Sequence, residues 1–485
     1  MATRTRRRRS RYSFRPRWLT LKRTVALAIT AVLFIVGLYG VRTAVALGKV
    51  FHTDPVSAVV NLVHGGGGSK IQGDVANLKR INIALYGYGG PGHDGPYLTD
   101  SIMVVSLQPE ADRTVRVAEI SVPRDWYVPI ELGNGKRGFD RVNQAYSSGM
   151  DGSGPVPSDQ PGAGASVANP TLSRMLGLQI DYFVGIDFSA FKSAVDAVGG
   201  VDVNVPTSFT DSEYPAGECV NGGDCSYRRV HFDSGIQHMD GATALVFSRS
   251  RHGSDGEGSD FARSKRQQLI TAAVKQKLLS VGGIGQLPDL LNALGDHVKT
   301  DLTINDAEAV YALVKNIDPA SVVHISLDDQ NFLYECGYPG NCDSAVIYAH
   351  DSTYQELKHF DESIFVDSSL TGNGVHIAIK DGSGTGNGAS TRWTAIFGQL
   401  GWHLDDQGPV RRTTTTKVID GSAGAAPGVA KWFADYFGVP VTAPSAAPAS
   451  ASGKATPGSG ISPTVTIILG ADEEHAFNNA PGWGH

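Results

Sequence analysis

Strand and helix patterns alternate along residues 80–345. Short apolar runs are typical of buried strands, and apolar residues that recur every three or four positions indicate helices. The predicted strands are Ile81–Tyr86, Ile102–Leu107, Val115–Val122, Tyr182–Ile186, Val201–Val205 and Ser321–Leu327. The predicted helices are Pro170–Leu176, Phe188–Val198, Gly241–Ser248, Asp260–Ser280, Ile284–Leu294 and Ile304–Asn316. This order predicts an α/β domain with helices on both faces of a sheet, interrupted by a Gly/Pro-rich loop at 151–169.

A second, smaller α/β domain is predicted at 372–472, after a linker at 346–371. Its predicted strands are Val375–Lys380, Thr413–Ile419 and Thr464–Leu469, and its predicted helices are Ser390–Leu400 and Gly428–Phe437. A tract rich in Ala, Pro, Ser and Gly at 442–463 predicts a flexible insertion before the last strand. A polar tail at 473–485 follows.

The N-terminus joins a basic cluster to an uncharged apolar run. Residues 1–23 carry ten basic and no acidic side chains, and Thr24–Val41 carries no charge. About 20 mostly apolar residues span a bilayer, so residues 24–45 are predicted to form one transmembrane helix. The positive-inside rule then leaves residues 1–23 in the cytoplasm and places the rest, from a stalk at 46–79 onward, outside the cell membrane. A signal peptide cleaved near Ala44-Val45-Ala46 is the alternative.

Composition and charge exclude several classes of protein. With 41% hydrophobic and 19% charged residues, the chain is not wholly disordered. Residues 1–23 form an arginine-rich arm that could bind nucleic acid, whereas the rest of the chain carries 32 basic against 48 acidic groups. Because this arm lies beside an apolar span, its charges are better explained as setting the orientation of the span in the membrane and as contacting anionic lipid. We therefore expect a membrane partner and no nucleic acid.

The four cysteines lie in two close pairs within Gly-rich segments. An oxidising compartment outside the membrane favours two local disulfides, Cys219–Cys225 and Cys336–Cys342. A four-cysteine zinc site is the alternative, although these spacings are wider than is usual in zinc knuckles.

The loop after the first predicted strand reads GYGGPGHDG and formally contains a dinucleotide-binding fingerprint. That fingerprint requires a following helix, but a strand follows here, which argues against a nicotinamide cofactor. His93 and Asp94 in this loop are candidate metal ligands, with a solvated loop tip as the alternative. Asp100, at the start of the next strand, is a candidate ligand for Mg²⁺ or Mn²⁺, with a turn-capping role as the alternative.

Arginines recur after the third predicted strand, at the end of the third predicted helix and near the start of the fourth. On a helix, Asp260, Arg263 and Gln267 share one face, whereas Arg266 points away from it. Guanidinium groups that converge from separate elements suit phosphate recognition, because each one can donate two hydrogen bonds to phosphate oxygen atoms. Surface ion pairs are the alternative. The candidate phosphate-binding residues are Arg124, Arg249, Arg251 and Arg263, and Asp125, Asp260 and Gln267 accompany them.

Several stretches together resemble the LytR–CpsA–Psr family of membrane-anchored phosphotransferases. They are INIALYGYGG, LTDSIMVVS, ISVPRDWYVPI, DRVNQAY, LGLQIDYFVGIDFSAFKSAVDAVGGVDVNVP and MDGATALVFSRSR…DFARSKRQQ, in the family's order over residues 80–272. Residues 373–472 resemble the C-terminal domain often appended to these proteins. The resemblance implies a three-layer α/β/α domain with a mixed central sheet.

The resemblance also implies an activity. Such proteins transfer a phosphoglycan from a polyprenyl-pyrophosphate carrier to peptidoglycan and form a phosphodiester bond. The polyprenyl tail would lie in a hydrophobic tunnel, with Mg²⁺ and arginines holding the pyrophosphate at its mouth. A pyrophosphatase acting on the same lipid and a non-catalytic regulator that binds wall polymer or lipid are the alternatives.

The family motifs assign roles residue by residue. The resemblance implies that Asp100 binds the metal and that Asn143 and Tyr146 lie near the substrate. Asp125 or Asp260 would act as a base or orient an arginine, and orientation is favoured. Many members carry an aspartate and an arginine where this chain has Gly89-Gly90, which leaves His93 or Asp94 as the second metal ligand. The implied catalytic set is Asp100, Arg124, Asp125, Arg249, Arg251, Asp260, Arg263 and Gln267.

Overall fold

The computed structural model describes ten segments of the chain. They are 69–93, 95–133, 135–216, 226–279, 294–335, 346–371, 374–384, 388–422, 424–444 and 464–473. The predicted transmembrane helix, Asp94, all four cysteines and most of the predicted insertion lie outside them. Within the described segments, no helix combines the length and the apolar character needed to cross a membrane.

The N-terminal two thirds of the described chain alternate between strands and helices. The strands are β1 Ile81–Tyr88, β2 Thr99–Pro109, β3 Val115–Val122, β4 Tyr127–Gly133, β5 Lys136–Arg141, β6 Tyr182–Asp187, β7 Val201–Val205, β8 Phe209–Pro215, β9 Tyr227–Phe232, β10 Gly235–Met239, β11 Val298–Thr300, β12 Val323–Ser326, β13 Leu333–Glu335 and β14 Ile347–Ala349. The helices are α1 Lys70–Ala76, α2 Asn143–Met150, α3 Ala165–Leu176, α4 Phe188–Ala197, α5 Gly241–Arg249, α6 Asp260–Leu279, α7 Ile304–Val314 and α8 Gln355–Glu362.

A mixed six-stranded sheet forms the centre, in the order β11-β6-β1-β2-β3-β12. β2 is antiparallel to both β1 and β3, whereas β6 is parallel to β1 and β12 is parallel to β3. The prediction of an α/β fold with a mixed central sheet is thereby confirmed.

Helices cover both faces of this sheet because successive side chains of a strand point to opposite sides. On β1, Ile81 and Ile83 pack in a cluster with Ile71 of α1 and Ala309 of α7. The intervening side chains, including Ala84 and Tyr86, pack in another cluster with residues of α2 and α3.

The structure differs from the sequence analysis at a helix start and at a hairpin. α3 begins at Ala165 rather than Pro170, so the end of the predicted 151–169 loop is helical. Val167 and Ala168 are buried, and this packing outweighs the cost of a proline in the second turn. The hairpin of β4 and β5 was not predicted from the pattern, because β5 is mostly exposed and lacks apolar alternation.

A second sheet lies in residues 376–469. Its elements are β15 His376–Asp381, α10 Ala389–Gly398, β16 Leu404–Pro409, β17 Lys417–Asp420, α11 Pro427–Tyr436, β18 Val441–Thr442 and β19 Thr464–Leu469, preceded by α9 Ser368–Thr371. The strand order is β16-β15-β19-β17-β18.

Helix α8 lies in the segment that was predicted to be a linker, and it contacts the second sheet's helices. His359 Nε2 of α8 donates a hydrogen bond to the backbone oxygen of Tyr436 in α11 at 2.9 Å. Glu356 of α8 also forms an ion pair with Arg392.

Candidate functional site

The candidate site lies where several central strands end at one edge of the sheet. β1 and β6 end here, β2 begins here, and Arg124 follows the end of β3. Ligands of open α/β sheets commonly bind beyond such strand ends. The sheet therefore brings Asp100 of β2 close to Arg124, which follows β3.

Three adjoining cavities share two side chains, Asp100 and Arg249, which line all three. Two of the cavities, of about 440 and 250 Å³, have mainly polar and charged side chains at their shared wall, and we call them together the polar cleft. Six basic side chains line the polar cleft against three acidic ones. The basic set is Arg124, Lys192, Arg228, Arg249, Arg251 and Arg263, and the acidic set is Asp100, Asp211 and Glu213.

The third cavity, of about 160 Å³, lies against the face of the central sheet that also packs on α1 and α7, and we call it the apolar chamber. Leu85 and Met103 line it from the sheet, and Phe188, Phe191 and Leu245 line it from α4 and α5. A chamber that opens beside a basic cleft suits a ligand with an apolar chain and an anionic head.

Asp100 and Asp125 hold the arginines of the polar cleft in place. Arg124 Nη1 lies 2.5 Å from Asp100 Oδ1, and Arg124 Nε lies 3.2 Å from Asp125 Oδ2. Asp125 also pairs with Arg141 and Arg251, each at 3.7 Å. A carboxylate shared among three guanidinium groups orients them, which supports the orienting role expected for Asp125 over a role as a base.

Arg249 is held by aromatic rings at the junction of the cleft and the chamber. Its guanidinium carbon lies 4.1 Å from the centroid of the Phe188 ring, a cation–π contact. Burial raises the pKa of the nearby Tyr214 hydroxyl, whereas the charges of Arg249 and Arg228 act to lower it. The raised pKa keeps Tyr214 neutral, so it adds no negative charge to the basic cleft.

Asp211 fixes the loop that carries Arg251. Its Oδ2 accepts hydrogen bonds from Ser250 Oγ at 2.6 Å and from the backbone N–H groups of Arg251 and His252 at 3.2 Å. Burial acts to raise the pKa of Asp211, but these bonds and one from the Glu213 N–H outweigh it, and the pKa is lowered. The ionised carboxylate therefore positions the Arg251 backbone at the cleft.

The structure brings together two members of the helical face predicted for α6. Arg263 and Gln267 both line the polar cleft, and Gln267 Oε1 accepts a hydrogen bond from Ser101 Oγ at 2.8 Å. Asp260 begins α6, but its side chain lies outside the described residues. Arg266 points away, as predicted, and is buried, where it donates to the carbonyls of Phe247 and Ser250 and so fixes the turn between α5 and α6.

Asp100 is the carboxylate of the polar cleft whose chemistry would suit a divalent cation. Among the described residues, no three His, Cys, Asp or Glu side chains group as they would in a fully protein-built metal cage. Mg²⁺ commonly keeps several waters and binds one or two carboxylates together with substrate phosphates. The Asp100 side chain is 29% exposed in the cleft, and its donor chemistry fits that arrangement.

The Gly-rich loop between β1 and β2 packs tightly against the site. Gly90 has φ +87°, and a Cβ there would lie 2.8 Å from the Cβ of Asp187. An aspartate or arginine at Gly90 would therefore require this loop to move. His93 lines the polar cleft, with its ring edge-on to Phe188 at 5.1 Å.

Asn143 and Tyr146 lie behind the cleft and line none of the three cavities. Tyr146 is fully buried and stacks on Tyr88 with centroids 5.2 Å apart. The backbone of Asn143 contacts the site, because its N–H donates to Arg124 O at 3.2 Å. From this position, Asn143 and Tyr146 support the loop that carries Arg124 and do not line the cavities themselves.

Several residues of the site were not among the predicted ones. Phe188, Lys192 and Phe191 come from α4, which was predicted only as a helix. Asp211, Tyr214 and Arg228 come from the hairpin of β8 and β9, whose pattern gave no chemical signal. Arg141 lies in the DRVNQAY stretch, and its charge in an exposed strand was the only available signal.

Comparisons with known proteins agree with the motifs. A model of the LytR_cpsA_psr family matches residues 52–355. The polyisoprenyl-teichoic acid–peptidoglycan teichoic acid transferase TagU of Bacillus mycoides is 34% identical over 229 residues, which cover 47% of this chain and 62% of the relative's length. TagV of Bacillus subtilis, described by the same activity, is 28% identical over 312 residues, covering 62% of this chain and 70% of its own. A crystal structure of B. subtilis TagV aligns with 59% of this chain and 97% of its own, at 23% identity and a TM-score of 0.43.

Proposed function

The chain belongs to the LytR–CpsA–Psr family, and from that premise we propose that it is a glycopolymer–peptidoglycan phosphotransferase. It takes a phosphoglycan from a polyprenyl-pyrophosphate-linked precursor and joins it to peptidoglycan through a phosphodiester bond during cell-wall assembly. One observation carries this proposal: a cleft lined by six basic side chains meets an apolar chamber at Asp100 and Arg249. An amphiphilic anion would occupy both, with its charged head in the cleft and its apolar chain in the chamber.

In this proposal the pyrophosphate lies against Arg124, Arg249, Arg251 and Arg263, and the prenyl chain enters the apolar chamber. A hydroxyl oxygen of peptidoglycan attacks the phosphorus that carries the glycan. The bond from that phosphorus to the bridging oxygen breaks, and polyprenyl phosphate leaves with the bonding electrons. The hydroxyl proton passes to solvent or to a base, for which Asp260 is the remaining candidate, because Asp125 is held by three arginines.

The arginines supply most of the catalysis in this scheme. Phosphoryl transfer needs little covalent help from the protein, and fixed positive groups that stabilise developing charge account for most of the acceleration. Mg²⁺ would add a charge at the same place, with Asp100 as its protein ligand and with His93 or Asp94 as candidate second ligands. We expect Asp100→Asn to lower transfer about 100-fold and to raise the Mg²⁺ concentration required for half-maximal activity. Unchanged Mg²⁺ dependence of that variant would remove Asp100 from the metal site.

Residues 24–45 serve as a single membrane anchor in this proposal, with the N-terminus in the cytoplasm. Both folded sheets then lie outside the cell membrane, where the lipid carrier and peptidoglycan are accessible. The predicted disulfides Cys219–Cys225 and Cys336–Cys342 belong to the same oxidising compartment.

The test uses the full-length protein in detergent with a polyprenyl-pyrophosphate-linked glycan, with and without peptidoglycan. We expect the glycan phosphate to become covalently attached to peptidoglycan, together with release of polyprenyl phosphate. Release of free phosphoglycan alone, unchanged by peptidoglycan, would identify a pyrophosphatase instead. Tight lipid binding with neither product would identify a non-catalytic binding protein.

A further inference from the structure

A row of five aromatic rings extends across the outer surface of two neighbouring hairpins. The rings are, in spatial order, Phe139, Tyr127, Tyr348, Tyr334 and His350, and we call them the aromatic row. Successive centroids are 6.2, 5.8, 5.8 and 5.2 Å apart. None of these rings lines the polar cleft or the apolar chamber.

The strand register explains why the rings form one row. Phe139 and Tyr127 lie on the same face of the hairpin of β4 and β5, and Tyr334 pairs directly with Tyr348 in the hairpin of β13 and β14. A bridge between Trp126 and Ile347 joins the two hairpins, so Tyr127 and Tyr348 become neighbours. The row therefore crosses four adjacent strands.

The rings are accessible, which is unusual for apolar groups of this size. Phe139 is 66% exposed and Tyr334 is 40% exposed, while Tyr127 and Tyr348 are half-buried. The near-parallel pairs, at 5.8 and 6.2 Å, are offset rather than overlapping, so each ring leaves part of its face open. A contiguous exposed aromatic surface usually marks a binding site.

The aromatic row lies close to the polar cleft at Tyr127, the second of its five rings. Tyr127 pairs across the hairpin with Arg141, and Arg141 Nε lies 3.7 Å from Asp125 Oδ1. Asp125 in turn pairs with Arg124 and Arg251, which line the cleft. A ligand lying on the rings would thus pass near the cleft at Tyr127.

We propose that the aromatic row is the docking platform for the acceptor glycan strand. Pyranose rings present a face of C–H groups that packs on the electron-rich face of an aromatic ring. The ring spacing is close to the length of one sugar in an extended polysaccharide, so successive sugars meet successive rings. Tyrosine suits this use, because it offers a large rigid face and a hydroxyl at little entropic cost. The identity of the strand as acceptor rests on the proposed transferase function.

Binding to peptide-free glycan strands, released from peptidoglycan by an amidase, tests the platform directly. We expect Phe139→Ala and Tyr334→Ala in the full-length protein each to weaken binding about fivefold, whereas Tyr334→Phe, which keeps the ring, binds as the unmodified protein does. Tyr311→Ala is the matched control, because Tyr311 is 43% exposed on α7, outside the row. In the transfer assay, the two alanine variants should raise KM for peptidoglycan and leave KM for the lipid donor unchanged.

The outcomes separate this proposal from the transferase assignment. Glycan binding by the alanine variants that equals that of the unmodified protein overturns the platform, even if transfer is observed. Row-dependent glycan binding without transfer keeps the platform and removes its role for an acceptor. Loss of binding to anionic phospholipid vesicles, with glycan binding unchanged, would assign the row to the membrane surface and overturn the proposal.

Discussion

The polar cleft and the apolar chamber share Asp100 and Arg249 but are built in opposite ways. The cleft takes its side chains from strands, helices and loops that are far apart in sequence, and individual hydrogen bonds and ion pairs fix several of them, as Asp125 pairs with three arginines. The chamber takes its side chains from the sheet face and from α4 and α5, and ordinary packing fixes them. Loss of one partner in the cleft should therefore affect chemistry, whereas a change in the chamber should affect lipid affinity.

The largest expected effect comes from Arg251→Ala in the polar cleft. Its removal takes away a guanidinium that would stabilise charge on the pyrophosphate, and we expect kcat to fall by about 100- to 1,000-fold. The side chain is 38% exposed, so the melting temperature should change little. Arg174→Ala is the matched control, because Arg174 is 41% exposed and pairs with Glu131 away from the cleft. Equal activity of the two variants would contradict a catalytic role for Arg251.

A smaller effect, of a different kind, is expected from Phe191→Asn in the apolar chamber. A polar amide facing a buried prenyl chain loses hydrogen bonds to water, and we expect KM for a long-chain lipid donor to rise about tenfold. kcat should change little, and a donor with a very short prenyl chain should be used equally well by both proteins. Phe191→Leu, which keeps the chamber apolar, is the control. An equal loss with the short-chain donor would show that the chamber does not hold the chain.

The smallest effect is expected at Asp211, whose carboxylate fixes the loop that carries Arg251 at the cleft. We expect Asp211→Asn to lower the free energy of unfolding by about 1–2 kcal/mol at neutral pH, because the bonds to the Arg251 loop weaken. The folded pKa of Asp211 lies below its ordinary value, so its stabilisation is full above that value and is lost as pH falls through the folded pKa. The difference in melting temperature between the two proteins should thus stay constant down to about pH 5 and narrow below about pH 4. A difference that widens on acidification would contradict this sign.

The same contrast explains what the sequence could predict. Arg124, Arg249 and Arg251 were predictable because a charged residue at a strand or helix end is conspicuous, and α6 placed Arg263 and Gln267 on one face as expected, whereas Arg228 of the cleft gave no such signal. The chamber was not predictable residue by residue, because Leu85, Met103 and Phe191 look like any core residues in a sequence. Only long-range packing decides which apolar side chains leave a cavity.

The hairpins illustrate a second limit of prediction. β4 and β5 pair through backbone hydrogen bonds while β5 stays exposed, so its sequence, KRGFDR, carries no strand pattern. Arg141 and the aromatic row depend on this pairing and on the bridge between Trp126 and Ile347, which joins residues over 200 positions apart. Tyr146 shows the converse, since its motif suggested a place near the substrate and packing put it in the core.

The central claim is that the polar cleft and the apolar chamber bind two parts of one lipid pyrophosphate. The most direct test compares the Kd of inorganic pyrophosphate with that of a prenyl pyrophosphate, measured by calorimetry on the same full-length protein with Mg²⁺ present. Because each buried CH₂ group contributes about 0.8 kcal/mol, we predict that the prenyl pyrophosphate binds at least about 100-fold more tightly. Equal affinity for the two compounds would contradict the account, because the cleft would then act without the chamber.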